Sequence, residues 1–358
     1  MNQEDRKKQR RKEIIHSSFI KKGTMVAFPL CLPGASVAIP ADESYITALD
    51  TGPDNFVYGG TSGTKCHLFV GMFHASLGGV FDMGIPENAT DCPAVCCGNK
   101  NVAACVNSPS QGRIIARKLH DEPDQLIQEW GFIREPLEEW GSPKENEKII
   151  HAVRDAKRET MFGITPSCIF SVNLETGAIE IKEELPGRGR IFMDPKGTVW
   201  GKDEQNTLWR FDTTKDALER QAIALPEGSW KNSPYQWSRN PEKARTVYTV
   251  DDDGALFSFD SNKGFTKCGG KIPYAPAKSL VQGLDGRLFG FCGEDMAHFF
   301  IYYPESREIE KHGVAVSFLE RRRYGYVWGD ATIGKDGQIF FGENDALGHL
   351  WIYFPAIC

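Results

Sequence analysis

Along most of this chain apolar and polar residues alternate in short runs, and the runs break at Gly, Asp, Asn and Pro. A period of two with such breaks predicts antiparallel hairpins rather than helices. The runs group into a longer phrase. It holds an apolar strand, an Asp-Gly type of turn, a second strand ending in Gly with acidic or polar residues, a third strand of aliphatic and aromatic positions, and a fourth. The clearest copy spans residues 189–225, where GRIFMDPKG, TVWGKDEQN, TLWRFDTTKD and ALERQAIAL follow one another. Other copies begin at Tyr45, Pro93, Lys148, Ser238, Ala277 and Asp330, which makes seven.

Repeats of about 40 residues, each a four-stranded sheet, predict blades arranged around an axis, because radial repetition leaves no long sheet edge exposed. The expected fold is all-β: a seven-bladed β-propeller of four-stranded antiparallel blades. The last copy stops after its third strand, near Pro355, and an extra strand-like run, TMVAFPLCL at 24–32, precedes the first. That N-terminal strand is expected to complete the seventh blade and close the ring. The organisation is then a basic tail over 1–23 and one propeller domain over 24–358. Residues 119–147 form a charged, partly helix-like insertion in or after the second blade, and 316–330 form a long link between the sixth and seventh. Such insertions project as loops on one face, often the binding face.

Composition narrows the function. The net charge is −6 and the only basic run lies at residues 6–12, so the broad positive surface that nucleic acid needs is missing. The start of the chain has no apolar core of the signal-peptide kind, and no run of about 18 apolar residues occurs, so a cytoplasmic protein without membrane insertion is expected. Ten irregularly spaced cysteines suit small buried hydrophobes in a reducing compartment.

In a blade, the link from second to third strand and the link from fourth strand to the next blade lie on one face, so candidate chemistry is sought in both. Aligned third strands place His67, His298 and His349 at one equivalent position in the first, sixth and seventh blades, which adjoin once the ring closes. Acidic turns precede two of them, giving His298, Glu294, Glu343 and Asp345 as a candidate metal set and His67 and His349 as acid or base candidates. The same histidines can instead tie each hairpin to its own turn. The link Arg321, Arg322, Arg323, Tyr324, Tyr326 and Trp328 combines forks that grip carboxylates with rings that stack on sugars. Tyr235, Trp237, Arg188 and Arg190 are candidates for the far rim of the same funnel.

The seven copies, with a Gly-acidic turn ahead of His-Leu-Trp-Ile-Tyr-Phe-Pro at 349–355, resemble the seven-bladed propeller polysaccharide lyases and their relatives. The resemblance implies β-elimination on a uronate-containing saccharide. His67 or His349 would be the base, Tyr324 or Tyr326 the acid, and Arg321, Arg322 or Arg323 would neutralise the carboxylate. A cation is needed there because the proton beside a carboxylate is weakly acidic until the developing enediolate is stabilised. The implied partner is an acidic oligo- or polysaccharide, and the implied cofactor, where there is one, a divalent cation such as Ca or Mn. Two other readings stay open: a non-catalytic propeller that binds a glycan or protein, and a metal-dependent hydrolase or lactonase.

Overall fold

In the computed structural model the described residues are 23–30, 39–74, 77–119, 136–185, 187–203, 205–231, 236–241, 244–317 and 323–356. They build seven antiparallel blade sheets; in six the strands follow one another in chain order from the axis outwards, and in the seventh the N-terminal strand lies outermost. The fold is the seven-bladed β-propeller the repeats imply. Alternation within the strands explains how the blades stack. In the first blade Phe69 faces the seventh blade, whereas Leu68 and Val70 face the second. Both faces of a blade are therefore apolar, and the core is divided into seven clusters, each lying between two neighbouring blades.

One packing device recurs. A second-strand glycine lies opposite a third-strand aromatic in four blades: Gly59 with Phe69, Gly163 with Phe170, Gly201 with Trp209 and Gly290 with Phe300. The ring lies over the glycine, and a Cβ on Gly163 would stand 2.2 Å from Phe170 Cζ. Gly163→Ala should therefore cost about 2 kcal/mol through overpacking, read as a lower urea midpoint at unchanged slope.

Ring closure follows the expected route. Strand Thr24–Pro29 pairs antiparallel with His349–Phe354, from Thr24 opposite Phe354 to Pro29 opposite His349, and completes the seventh sheet. The fifth blade departs from the pattern. Pro241 lies where its innermost strand would run, and single bridges from Trp237 to Thr249 and from Arg239 to Val281 take that strand's place. The insertion is anchored between the third strand of the second blade, Gly112–Lys118, and the fourth, Glu138–Gly141. Its tail thus supplies a blade strand, and its base is on the face opposite the one where chemistry was sought. Residues 120–135 lie outside the described residues. The 316–330 link contains a small hairpin, Val316–Ser317 with Arg323–Tyr324, and then the innermost strand Trp328–Ile333. Among the described residues no helix is long and apolar enough to cross a membrane. The eight described cysteines are buried and form no disulfide.

Candidate functional site

The innermost strands begin on one face, and polar residues near their starts meet around the axis. These strands are Tyr45–Thr51, Asp91–Cys97, His151–Asp155, Phe192–Met193, Ala277–Gln282 and Trp328–Ile333. Each packs between neighbours, so a charge inside one has to be answered by another blade.

Asp330 organises this centre. Its Oδ1 lies 3.1 Å from Arg190 Nη1, and its Oδ2 lies 3.3 Å from Arg239 Nη2 and accepts the Leu49 N–H at 3.0 Å. One carboxylate from the seventh blade thereby joins the fourth, fifth and first. Burial alone would raise its pKa, but Arg239 and Arg190 hold the carboxyl below the ordinary Asp value. Asp50 does a similar job one blade on: its Oδ2 accepts the Cys97 N–H at 2.8 Å, with Arg154 Nε 3.8 Å away.

Above this charged plug opens a cavity of about 500 Å³, lined by Thr47, Asp91, Pro93, Ile150, His151, Arg188, Gly189 and Arg190. Gly189 has φ of +63°, which glycine adopts freely, and the chain turns there between its two arginines. His151 is only 5% exposed, and its Nδ1 has no hydrogen-bond partner among the described residues. Burial, reinforced by Arg190 and Arg239, pushes its pKa well below the ordinary histidine value, so the imidazole is neutral near pH 7. A much smaller space of about 10 Å³, beside Tyr58 and Arg117 between the first two blades, has room for about one water.

Of the residues singled out in the sequence, the structure brings Arg188 and Arg190 to this cavity. His67 and His349 are placed in the hairpins, apart from the cavity lining. The His67 ring is clamped between Glu43 at 2.7 Å and Asp82 at 2.9 Å, and His349 Nδ1 lies 3.2 Å from Glu343. The main chain explains why third-strand starts attract such groups: the first N–H donates to a side chain of the preceding turn, as with His67 to Thr61, Ala255 to Asp251 and His349 to Glu343.

The proposed metal set does not converge. Glu343 also accepts from Trp351 Nε1, Glu294 lies 3.4 Å from Lys278, and the His298 ring packs edge-on to Tyr274. Among the described residues no group of three or more His, Cys, Asp or Glu could hold a metal ion. Trp237 and Trp328 are core residues, seated on Phe192 and Phe291 with ring centroids 4.0 and 3.6 Å apart, which removes their faces from any ligand. Tyr324 and Tyr326 are exposed neighbours on the link before the seventh blade and do not line the cavity. Arg323 contributes main chain to the small hairpin; Arg321, Arg322 and Tyr235 lie outside the described residues.

The residues missed by sequence reasoning are His151, Asp91, Asp330 and Arg239. For His151 and Asp330 the signal was a charge or histidine in the first apolar run of a copy, where a buried strand should have none; Arg239, in the polar stretch SRNPEKA, and Asp91, ahead of the copy that begins at Pro93, carried no such signal.

No protein-family model matches this chain, and no curated protein matches it. Solved structures do resemble it in fold. A streptogramin B lyase superposes with a TM-score of 0.67 at 12% identity, covering 95% of this chain and all of that one. Virginiamycin B lyase from Staphylococcus aureus gives 0.64 at 11%, covering 93% and 100%. The extracellular domain of BT4673 from B. thetaiotaomicron gives 0.57 at 10%, covering 91% of this chain and 39% of that one. The two lyases are propellers but not uronate polysaccharide lyases. At these identities the likeness establishes a shared seven-bladed architecture.

Proposed function

We propose that this protein is a propeller lyase that cleaves a uronate-containing saccharide by β-elimination in the axial cavity. The observation that carries the reading is His151: a neutral, buried imidazole in the wall of a cavity that also holds Arg188 and Arg190. The arginines take the uronate carboxylate and stabilise the enediolate that develops when the adjacent proton leaves. His151 receives that proton. The leaving oxygen collects its proton from water in the open cavity. The roles given in sequence to His67 or His349 as base thus pass to His151, because the first ring is committed to Glu43 and Asp82 and the second to Glu343. A streptogramin B lyase shares this scaffold, which is in keeping with a lyase reading.

The test is the ultraviolet absorbance of an unsaturated uronate during incubation with uronate-containing oligosaccharides. Product should appear, and His151→Gln should slow it on the order of 10²-fold while oligosaccharide binding persists. Because burial depresses the base's pKa, the acid limb of the rate profile should fall below pH 6.5. Binding without product across the panel would favour a non-catalytic glycan-binding propeller.

A further inference from the structure

The cavity wall carries an acid as well as its arginines. Asp91 opens the innermost strand of the second blade and forms no ion pair among the described residues. Its carboxylate is fixed from both sides: Ser62 donates to Oδ1 at 2.9 Å, and Asn107 Nδ2 donates to Oδ2 at 3.0 Å. Both partners are themselves held. The Ser62 hydroxyl lies 2.8 Å from Thr47 Oγ1, which donates to the Cys92 carbonyl at 2.8 Å. Asn107 accepts the Ile149 N–H at 2.8 Å and donates to the Ile149 carbonyl at 2.9 Å. The third blade, which carries His151, is thereby locked to Asp91.

An ionised carboxylate offers about four acceptor positions, and two are used here. A preorganised acceptor with spare lone pairs, in a cavity whose other charged lining residues are arginines, selects a ligand with an acid group at one end and donors at the other. We propose that Asp91 reads ring hydroxyls, so that the ligand is a polyhydroxylated acid, a sugar acid, rather than a plain carboxylate. This rests on the lyase reading for the placement of the acid group on Arg188 and Arg190, and it adds the determinant that recognises the rest of the ring. The hydrogen bonds to an ionised acceptor are of the stronger, charge-assisted kind, and the fixed carboxylate loses little freedom when they form.

The experiment is calorimetric titration with two probes, D-glucuronate and tetrahydropyran-2-carboxylate, which share a ring acid and differ in ring hydroxyls. The expected result is at least about tenfold tighter binding of glucuronate. Asp91→Ala should erase that preference while leaving affinity for the hydroxyl-free acid within about twofold. Asp91→Asn, which keeps the Ser62 bond, serves as the second variant, with thermal unfolding of both as a check on the fold. Equal affinity of the wild-type protein for the two probes, or an unchanged ratio in a folded Asp91→Ala, would overturn the assignment and leave the lyase reading standing. Binding of neither acid would sink the lyase reading itself.

Discussion

Asp330→Ala is expected to cost about 3 kcal/mol of stability, the lower end of what breaking a buried ion pair costs. The loss has two parts. Arg190 and Arg239, each about one-fifth exposed and reaching Asp330 from the neighbouring fourth and fifth blades, are left together without the carboxylate between them. The Leu49 N–H also loses its acceptor, which unpins the first blade from the seventh. Water reaching the arginines screens part of the repulsion, which is why the upper end of the range is not expected. Asp330→Asn separates the parts: it keeps an acceptor for Leu49 and removes the charge, so it should fall between wild type and alanine. Urea unfolding at neutral pH measures both.

The charge has a pH signature. Asp330's folded pKa is depressed, so its contribution is present above the ordinary Asp value of 3.8 and is lost as pH falls through the folded value. Both variants should flatten that acid limb. They should also raise the concentration of acidic saccharide needed for half-saturation, since Arg190 loses the partner that aims it at the cavity.

How far the sequence reveals this molecule depends on which interactions repeat. Alternation and turn breaks recur in all seven copies and a third-strand aromatic in six, the exception being GRIIARK at 112–118, so they show blade number, strand order and closure by residues 24–29. The glycine–aromatic pairs, such as Gly201 and Trp209, are part of that repeat and mark it. The axial site does not repeat: His151, Asp91, Asp330 and Arg190 each occur once, in different blades, and they meet only when the ring closes. His67, His298 and His349 stand out in the sequence because the third-strand start repeats, and repetition there reflects turn and strand packing rather than a shared site. The aromatic segment around Trp328 read as a platform because a one-dimensional pattern does not say which face of a ring is covered; Phe291 covers it. Arg188 and Arg190 were legible because they flank a turn leading into a blade, where chain position alone sets the face.

His67→Ala should destabilise the protein by about 4 kcal/mol, because it leaves a buried carboxylate without its counter-charge. Glu43 is 6% exposed and sits on the short helical turn Ala41–Glu43. Its neighbourhood ties the ring together: Ser44 Oγ accepts the Gly348 N–H from the seventh blade, and Thr64 of the first blade donates to the Asp42 carbonyl. Burial disfavours the charged ring, but hydrogen bonds to Asp82 and Glu43 outweigh it and raise the His67 pKa above 6.5. A raised folded pKa means that this stabilisation is complete below the unfolded value of 6.5 and is lost as pH rises through the folded one. His151 runs the other way: its depressed folded value makes the unfolded chain bind the extra proton, so stability is lost as pH falls below 6.5. The two histidines therefore squeeze the stability curve from opposite sides, and single variants should resolve them. His67→Gln should remove the decline on the alkaline side, and His151→Gln should remove the decline on the acid side. Urea midpoints measured on both sides of that pH give the answer. A His67→Gln curve that keeps the wild-type alkaline slope would mean that the Glu43–His67–Asp82 clamp is not charged in the folded protein.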